Sequence, residues 1–159
     1  MKFSIVYHMR KEIISEQFNK QVEQFAHLEL TRNEKIFKFI TDLCEFKKDE
    51  MILDVANGSR AFTSYCSNKV RQVVGADISD GLLKYAKENF GKATILHPDF
   101  LCCDVENLPF PDNTFDTATC RSAFHHMAKP ETVLRKMVRT LKKGGKICIQ
   151  DMQAYEEKV

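Results

Sequence analysis

From residue 51 onward, apolar runs of strand length alternate with stretches of helical periodicity, and this rhythm restricts the chain more than any other feature. MILDV (51–55), VVGAD (73–77), FLCC (100–103), DTATC (116–120) and KICIQ (146–150) read as five strands. A loop at 56–60 and a short helix to about Asn68 follow the first. Ser79 can cap a helix that carries Leu82, Leu83, Ala86 and Phe90 inward. Pro130 and Gly144 bracket another, with Val133, Leu134, Met137, Val138 and Leu141 on one face. Strands alternating with helices predict an α/β fold with a mostly parallel sheet and right-handed crossovers.

The first third reads as helix. Ile14, Phe18, Val22 and Phe25 form one helical stripe. Thr31 and Glu34 form a capping-box pattern, T-R-N-E, that opens a second helix through about Phe46. Its apolar face is Ile36, Ile40 and Leu43, with Phe37 and Cys44 alongside. The chain of 159 residues contains no repeat and no Pro/Gly/Ser linker, so a single domain is expected. It divides into a helical cap, 1–48, and a core, 49–159.

Lys plus Arg is 24 against 22 for Asp plus Glu, a balance that argues against nucleic acid as the main partner. Seven basic residues against one acid between Lys129 and Lys146 read as a solvated helix surface rather than an RNA-facing patch. No apolar run approaches the ~20 residues of a membrane span, and the start does not resemble a signal peptide. A cytosolic protein is expected. Its six cysteines, with no C-x-x-C spacing and mostly within apolar runs, fit reduced core thiols rather than a metal site.

In such sheets ligands bind beyond the carboxyl ends of the strands. Asp77 ends the second strand, 19 residues beyond Gly58. A carboxylate there accepts both hydrogen bonds of a ribose diol, although a solvated strand-end acid is the plainer alternative. A dinucleotide needs several glycines beside its pyrophosphate, and residues 56–62 hold only Gly58. Asp54 at the end of the first strand repels a diphosphate and welcomes a cationic amino group. An adenosyl ligand with an amino-acid tail suits this loop better than a nicotinamide dinucleotide.

LDVANGSRAF, VVGADIS, FLCCDVENLPFPDNTFD, CRSAFHHM and VLRKMVRTLKKGGKICI, in that order, resemble the successive motifs of class I S-adenosylmethionine-dependent methyltransferases. The nearest likeness is to the ubiquinone/menaquinone C-methyltransferase group, over about residues 50–151. A weaker one lies in Phe18, Gln21 and Phe25. The resemblance implies a Rossmann-like sheet of order 3-2-1-4-5. It also implies S-adenosylmethionine as cofactor, S-adenosylhomocysteine as product and a small-molecule methyl acceptor. Asp54 and the backbone of Ala56, Asn57 and Gly58 would surround the methionine moiety. Asp77 would take the ribose hydroxyls, Ile78 one face of the adenine, Asp104 the adenine amino group, and Val105 the ring edge. Arg121 and Ser122 would line the pocket near the sulfonium, with Phe18 and Phe25 helping to close it.

Arg60 departs from the family pattern, which has a glycine there. Its side chain either blocks the methionine tail or pairs with its carboxylate. Methyl transfer needs mainly alignment of nucleophile and methyl group, which supplies roughly 7–11 kcal/mol. Where the acceptor must lose a proton, His125 and His126, just past the fourth strand, are the candidate bases; simple packing at the loop is the alternative. A non-catalytic cofactor-binding or interaction module descended from such an enzyme is the competing functional reading. The family's last two strands have no counterpart before Val159. KICIQ is therefore expected as an apolar edge, paired in a homodimer, covered by the N-terminal helices, or exposed because the chain is a piece.

Overall fold

A computed structural model describes residues 13, 15–17, 19–20, 33–58, 60–81, 84 and 99–151. Helix α1 (Glu34–Leu43) starts at Asn33, whose side-chain oxygen accepts from the backbone N–H groups of Lys35 and Ile36 at 3.1 and 3.3 Å. The cap is thus Asn33, and the expected Thr31 lies outside the described residues, as do Ile14, Phe18, Val22, Phe25, Leu82, Leu83, Ala86 and Phe90. Strand β1 (Met51–Val55), helix α2 (Ala61–Ser67), β2 (Gln72–Asp77), β3 (Asp99–Cys102) and β4 (Phe115–Arg121) follow. Helix α3 (Pro130–Thr140) and β5 (Leu141–Gln150) complete the order, with single 3₁₀ turns at Val105–Asn107 and Phe124–His126.

The five strands form one parallel sheet in the order β3-β2-β1-β4-β5, as expected. Period-two alternation sends Leu53, Val55, Ala76, Ala118 and Cys120 to one face, where Val133 and Met137 of α3 meet them. Ile52 and Val73 point the other way, into a second cluster with Phe37, Ile40 and Cys44 of α1 and Phe62 and Cys66 of α2. Phe37 anchors that layer edge-on to the Phe62 ring, centroids 5.3 Å apart. Both faces are thereby covered, which is why the central strands are apolar almost throughout.

Two helix faces differ from expectation. Leu43 is 64% exposed while Phe37, Ile40, Thr41 and Cys44 are buried. On α3, Val133, Met137 and Thr140 are buried, but Leu134 and Val138 point outward. In each case the buried stripe at i, i+3/i+4, i+7 is narrower than the apolar stripe of the sequence, so a flanking residue stays wet. Nor does Gly144 end α3. The helix stops at Thr140, whose hydroxyl turns back to the Met137 carbonyl at 2.8 Å, and Leu141 already pairs with Phe115. The next pair is Thr117 with Lys146, so residues 142–145 bulge from the ladder with Gly144 at φ 81°. Lys142 holds this bulge on the Asp116 carboxylate at 2.8 Å. β5 is one edge of the sheet and β3 the other, and among the described residues no strand pairs with the outer side of β5.

Candidate functional site

The alternation that buries Leu53 and Val55 on the α3 face sends Asp54 to the α2 face, along with Gly75 and Asp77 of β2 and Thr119 and Arg121 of β4. This is the carboxyl end of the sheet at the point where strand order reverses, between β1 and β4. Asp54 is 2% exposed. Its carboxylate accepts from Thr63 Oγ1 at 2.5 Å and from Thr119 Oγ1 at 2.9 Å. Thr63 in turn accepts from Asn57 Nδ2 at 3.4 Å, so one hydrogen-bonded chain links the loop, α2 and β4 to the acid.

Among the described residues of the loop after β1, three are left-handed: Ala56 (φ 54°), Gly58 (φ 51°) and Arg60 (φ 64°). Two of these carry a side chain, which costs of order 1–3 kcal/mol each and persists only under outside constraint. The constraint is visible. Ala56 N–H donates to the Ala76 carbonyl at 2.7 Å, and Gly58 N–H donates to Asp77 Oδ2 at 2.8 Å. The other Asp77 oxygen accepts from Ser79 N–H at 2.9 Å. Asp77 thus ties the two strand-end loops together while its remaining lone pairs stay available to a diol.

Burial pushes the Asp54 carboxyl up to about 6 from an ordinary 3.8, against the pull of Thr63, Thr119 and Arg121. Burial also raises Asp77, against hydrogen bonds from Ser79 and Gly58 and the field of Arg60. Above pH 7 Asp54 is ionised and suited to a cation. The stability consequence follows from proton uptake. Between about pH 4 and 6 the unfolded Asp54 is ionised while the folded one keeps its proton. Folded stability therefore falls as pH rises through that window, by something like 3 kcal/mol for a shift of this size. Thermal melts of wild type and Asp54→Asn should differ in slope there, the variant being flatter. Parallel profiles would remove the assignment.

Asp104 accepts from Glu106 N–H at 3.0 Å and Asn107 Nδ2 at 2.9 Å, capping the 3₁₀ turn that contains Val105. The Ile78 carbonyl accepts from Ser15 Oγ at 3.4 Å, and Ser79 Oγ donates to Asn19 Oδ1 at 2.6 Å, so Ser15 and Asn19 meet the loop after β2. Arg121 lies over the Phe37 ring at 5.0 Å. Ser122 (φ 49°) donates its N–H to the Gln150 carbonyl at 2.7 Å. His125 is fastened through its backbone N–H (2.9 Å) and Nδ1 (2.6 Å) to Asp151, and its ring lies 3.9 Å from that of His126. Burial, and then the field of His125, lower the His126 pKa, keeping that imidazole neutral near pH 7.

Sequence reasoning found both acids and the loop, but not Thr63, Thr119 or Asp151. Thr119 was within reach: it stands opposite Asp54 in the parallel register. Two loop side chains carry buried atoms without a hydrogen-bond partner, namely Asn57 Oδ1 and the three guanidinium nitrogens of Arg60. One is an acceptor and the other a set of cationic donors. A zwitterionic amino-acid tail offers both complements, so the residues present fit an adenosyl amino acid.

The sheet order, the strand-end acids and the loop define a class I S-adenosylmethionine-dependent methyltransferase core. The methyltransferase-domain family model matches residues 53–149, and the chain belongs to that family. Among individual relatives, the chain is similar to the ubiquinone/menaquinone biosynthesis C-methyltransferase UbiE of Salmonella arizonae. The two are 32% identical over 116 residues, which is 70% of this chain and 46% of the relative. The chain thus spans about half the length of the curated relatives it matches. The structure of the YcgJ protein from Bacillus subtilis superposes with a TM-score of 0.74 at 26% identity, covering 79% of this chain and 53% of that one. The fold also matches phosphoethanolamine N-methyltransferase 1 of Haemonchus contortus, solved with phosphoethanolamine and S-adenosylhomocysteine. There the TM-score is 0.78 at 13% identity, over 94% of this chain and 34% of the other. No helix among the described residues is long and apolar enough to cross a membrane.

Proposed function

We propose that this chain binds S-adenosylmethionine across the carboxyl ends of β1, β2 and β4 and directs transfer of its methyl group to a small-molecule acceptor. The observation that carries the reading is the pairing of Asp54 and Asp77 across one constrained loop: Asp77 holds Gly58 N–H, while Asp54 is buried between two threonine hydroxyls. The cofactor, when bound, supplies an electrophilic methyl group on a sulfonium. Asp54 and Asn57 hold the tail's ammonium group, and Asp77 holds the ribose diol. Ile78 and Val105 flank the adenine, and Asp104 meets its amino group. Arg121, Ser122 and the segment 124–126 border the acceptor side.

His126, kept neutral by burial, is the group that takes a proton from an acceptor that must lose one. His125, locked to Asp151, holds its ring against that of His126 and orients it. The test is calorimetry with S-adenosylhomocysteine, followed by turnover against a panel of small acceptors with wild type and His126→Ala. Saturable binding with turnover reduced about a hundredfold in the variant is expected. Full turnover in His126→Ala would remove the base. Binding without turnover of any acceptor would favour a non-catalytic cofactor-binding module, and absence of any binding at millimolar ligand would overturn the cofactor reading itself.

A further inference from the structure

We propose that Arg60 is the residue that recognises the carboxylate of the ligand's amino-acid tail, an inference that rests on the cofactor reading above. Arg60 is wholly buried, 0% exposed. Among the described residues, none offers a hydrogen-bond acceptor to its three guanidinium nitrogens. Its guanidinium lies on the face of Phe100, with the guanidinium carbon 3.5 Å from the ring centroid. Stacking on a ring leaves every in-plane N–H of the guanidinium unmade. A buried cation in that state is expensive, and burial accordingly depresses its pKa to about 10, with Asp77 as the opposing influence.

The position of Arg60 indicates which acceptor is missing. Its backbone N–H donates to the Asn57 carbonyl at 3.0 Å, and its φ of 64° is left-handed like those of Ala56 and Gly58. Its Cα therefore borders the loop that holds the amino-acid tail, while its side chain lies back over β3. Asn57 Oδ1, three residues earlier, is the loop's orphaned acceptor. A ligand end carrying an ammonium and a carboxylate satisfies both orphans at once. The planar fork of a guanidinium matches a carboxylate in two parallel hydrogen bonds, a geometry that lysine cannot reproduce. Reaching it requires rotation of the Arg60 side chain off Phe100, with the backbone left in place. As folded, the buried cation lacks an acceptor among the described residues, and the tail's carboxylate would supply one.

The experiment compares S-adenosylhomocysteine with 5′-methylthioadenosine, which has the same nucleoside and sulfur but no amino-acid tail. Calorimetry on wild type, Arg60→Met and Arg60→Lys reads the two affinities, and a melt of each ligand-free protein reads folding. Arg60→Met should bind S-adenosylhomocysteine at least about tenfold more weakly, the loss of a charge-assisted pair, with the methylthioadenosine affinity unchanged. Arg60→Lys should fall between. The ligand-free melting temperature of Arg60→Met should equal or exceed that of wild type, because an unsatisfied buried cation has gone. Equal losses for both ligands, or a variant that binds S-adenosylhomocysteine as tightly as wild type or more so, would overturn the assignment and identify Arg60 as a plug. Failure of wild type to bind either ligand would instead overturn the cofactor reading, and this inference with it.

Discussion

Asp77→Ala should lose S-adenosylhomocysteine binding by at least about a hundredfold, the combined worth of two hydrogen bonds to a charged acceptor. The loss has a direct part and an indirect one. Directly, the ribose diol loses both of its acceptors. Indirectly, Gly58 N–H and Ser79 N–H, now held at 2.8 and 2.9 Å, lose their partner, and the two strand-end loops come apart. The ligand-free melting temperature responds less, because removing a buried carboxylate relieves the desolvation that raises its pKa. Calorimetry and a melt on the same sample separate the two. Binding within tenfold of wild type would show that Asp77 serves the loops alone.

Gly75→Val should destabilise the fold by about 3 kcal/mol, at the upper end of ordinary overpacking costs. A Cβ on Gly75 would stand 2.5 Å from Asn57 Nδ2 and 2.8 Å from Phe100 Cδ1, both under van der Waals contact. The Asn57 amide group, which donates to Thr63, occupies the space that a Gly75 side chain would need. Even Gly75→Ala must push Asn57 aside, so ligand affinity should fall with stability. Urea unfolding of both variants, with ligand titration of the milder one, measures the two effects. A Gly75→Val chain as stable as wild type would mean that Asn57 moves freely, contrary to its place in the Asp54 chain.

The fold was legible because a doubly covered parallel sheet writes itself as short apolar runs, and each of the five expected strands is present. The helix faces were less so. Leu43, Leu134 and Val138 belong to the apolar stripes of α1 and α3, but how much of a stripe is covered depends on the neighbouring surface, which local periodicity does not encode. The same divide runs through the site. Asp54 and Asp77 are strand-end residues, visible from position alone. Their partners arrive by register and by long-range contact: Thr119 across 65 residues, Asp151 onto His125 across 26. Arg60 was visible as a departure from pattern, yet its burial depends on which way a long side chain turns.

The central place of β1 bears on how the chain acquires its fold. Met51–Val55 finds its first neighbour, β2, about twenty residues on, but its second, β4, only after the chain has passed Thr117. Until then one edge of β1 is open and Asp54 lacks the Thr119 hydroxyl that helps seal it. Closure of so long a loop is slow relative to helix formation. Pairing of β4 with β1 therefore closes the apolar strand edge and encloses the Asp54 carboxylate together.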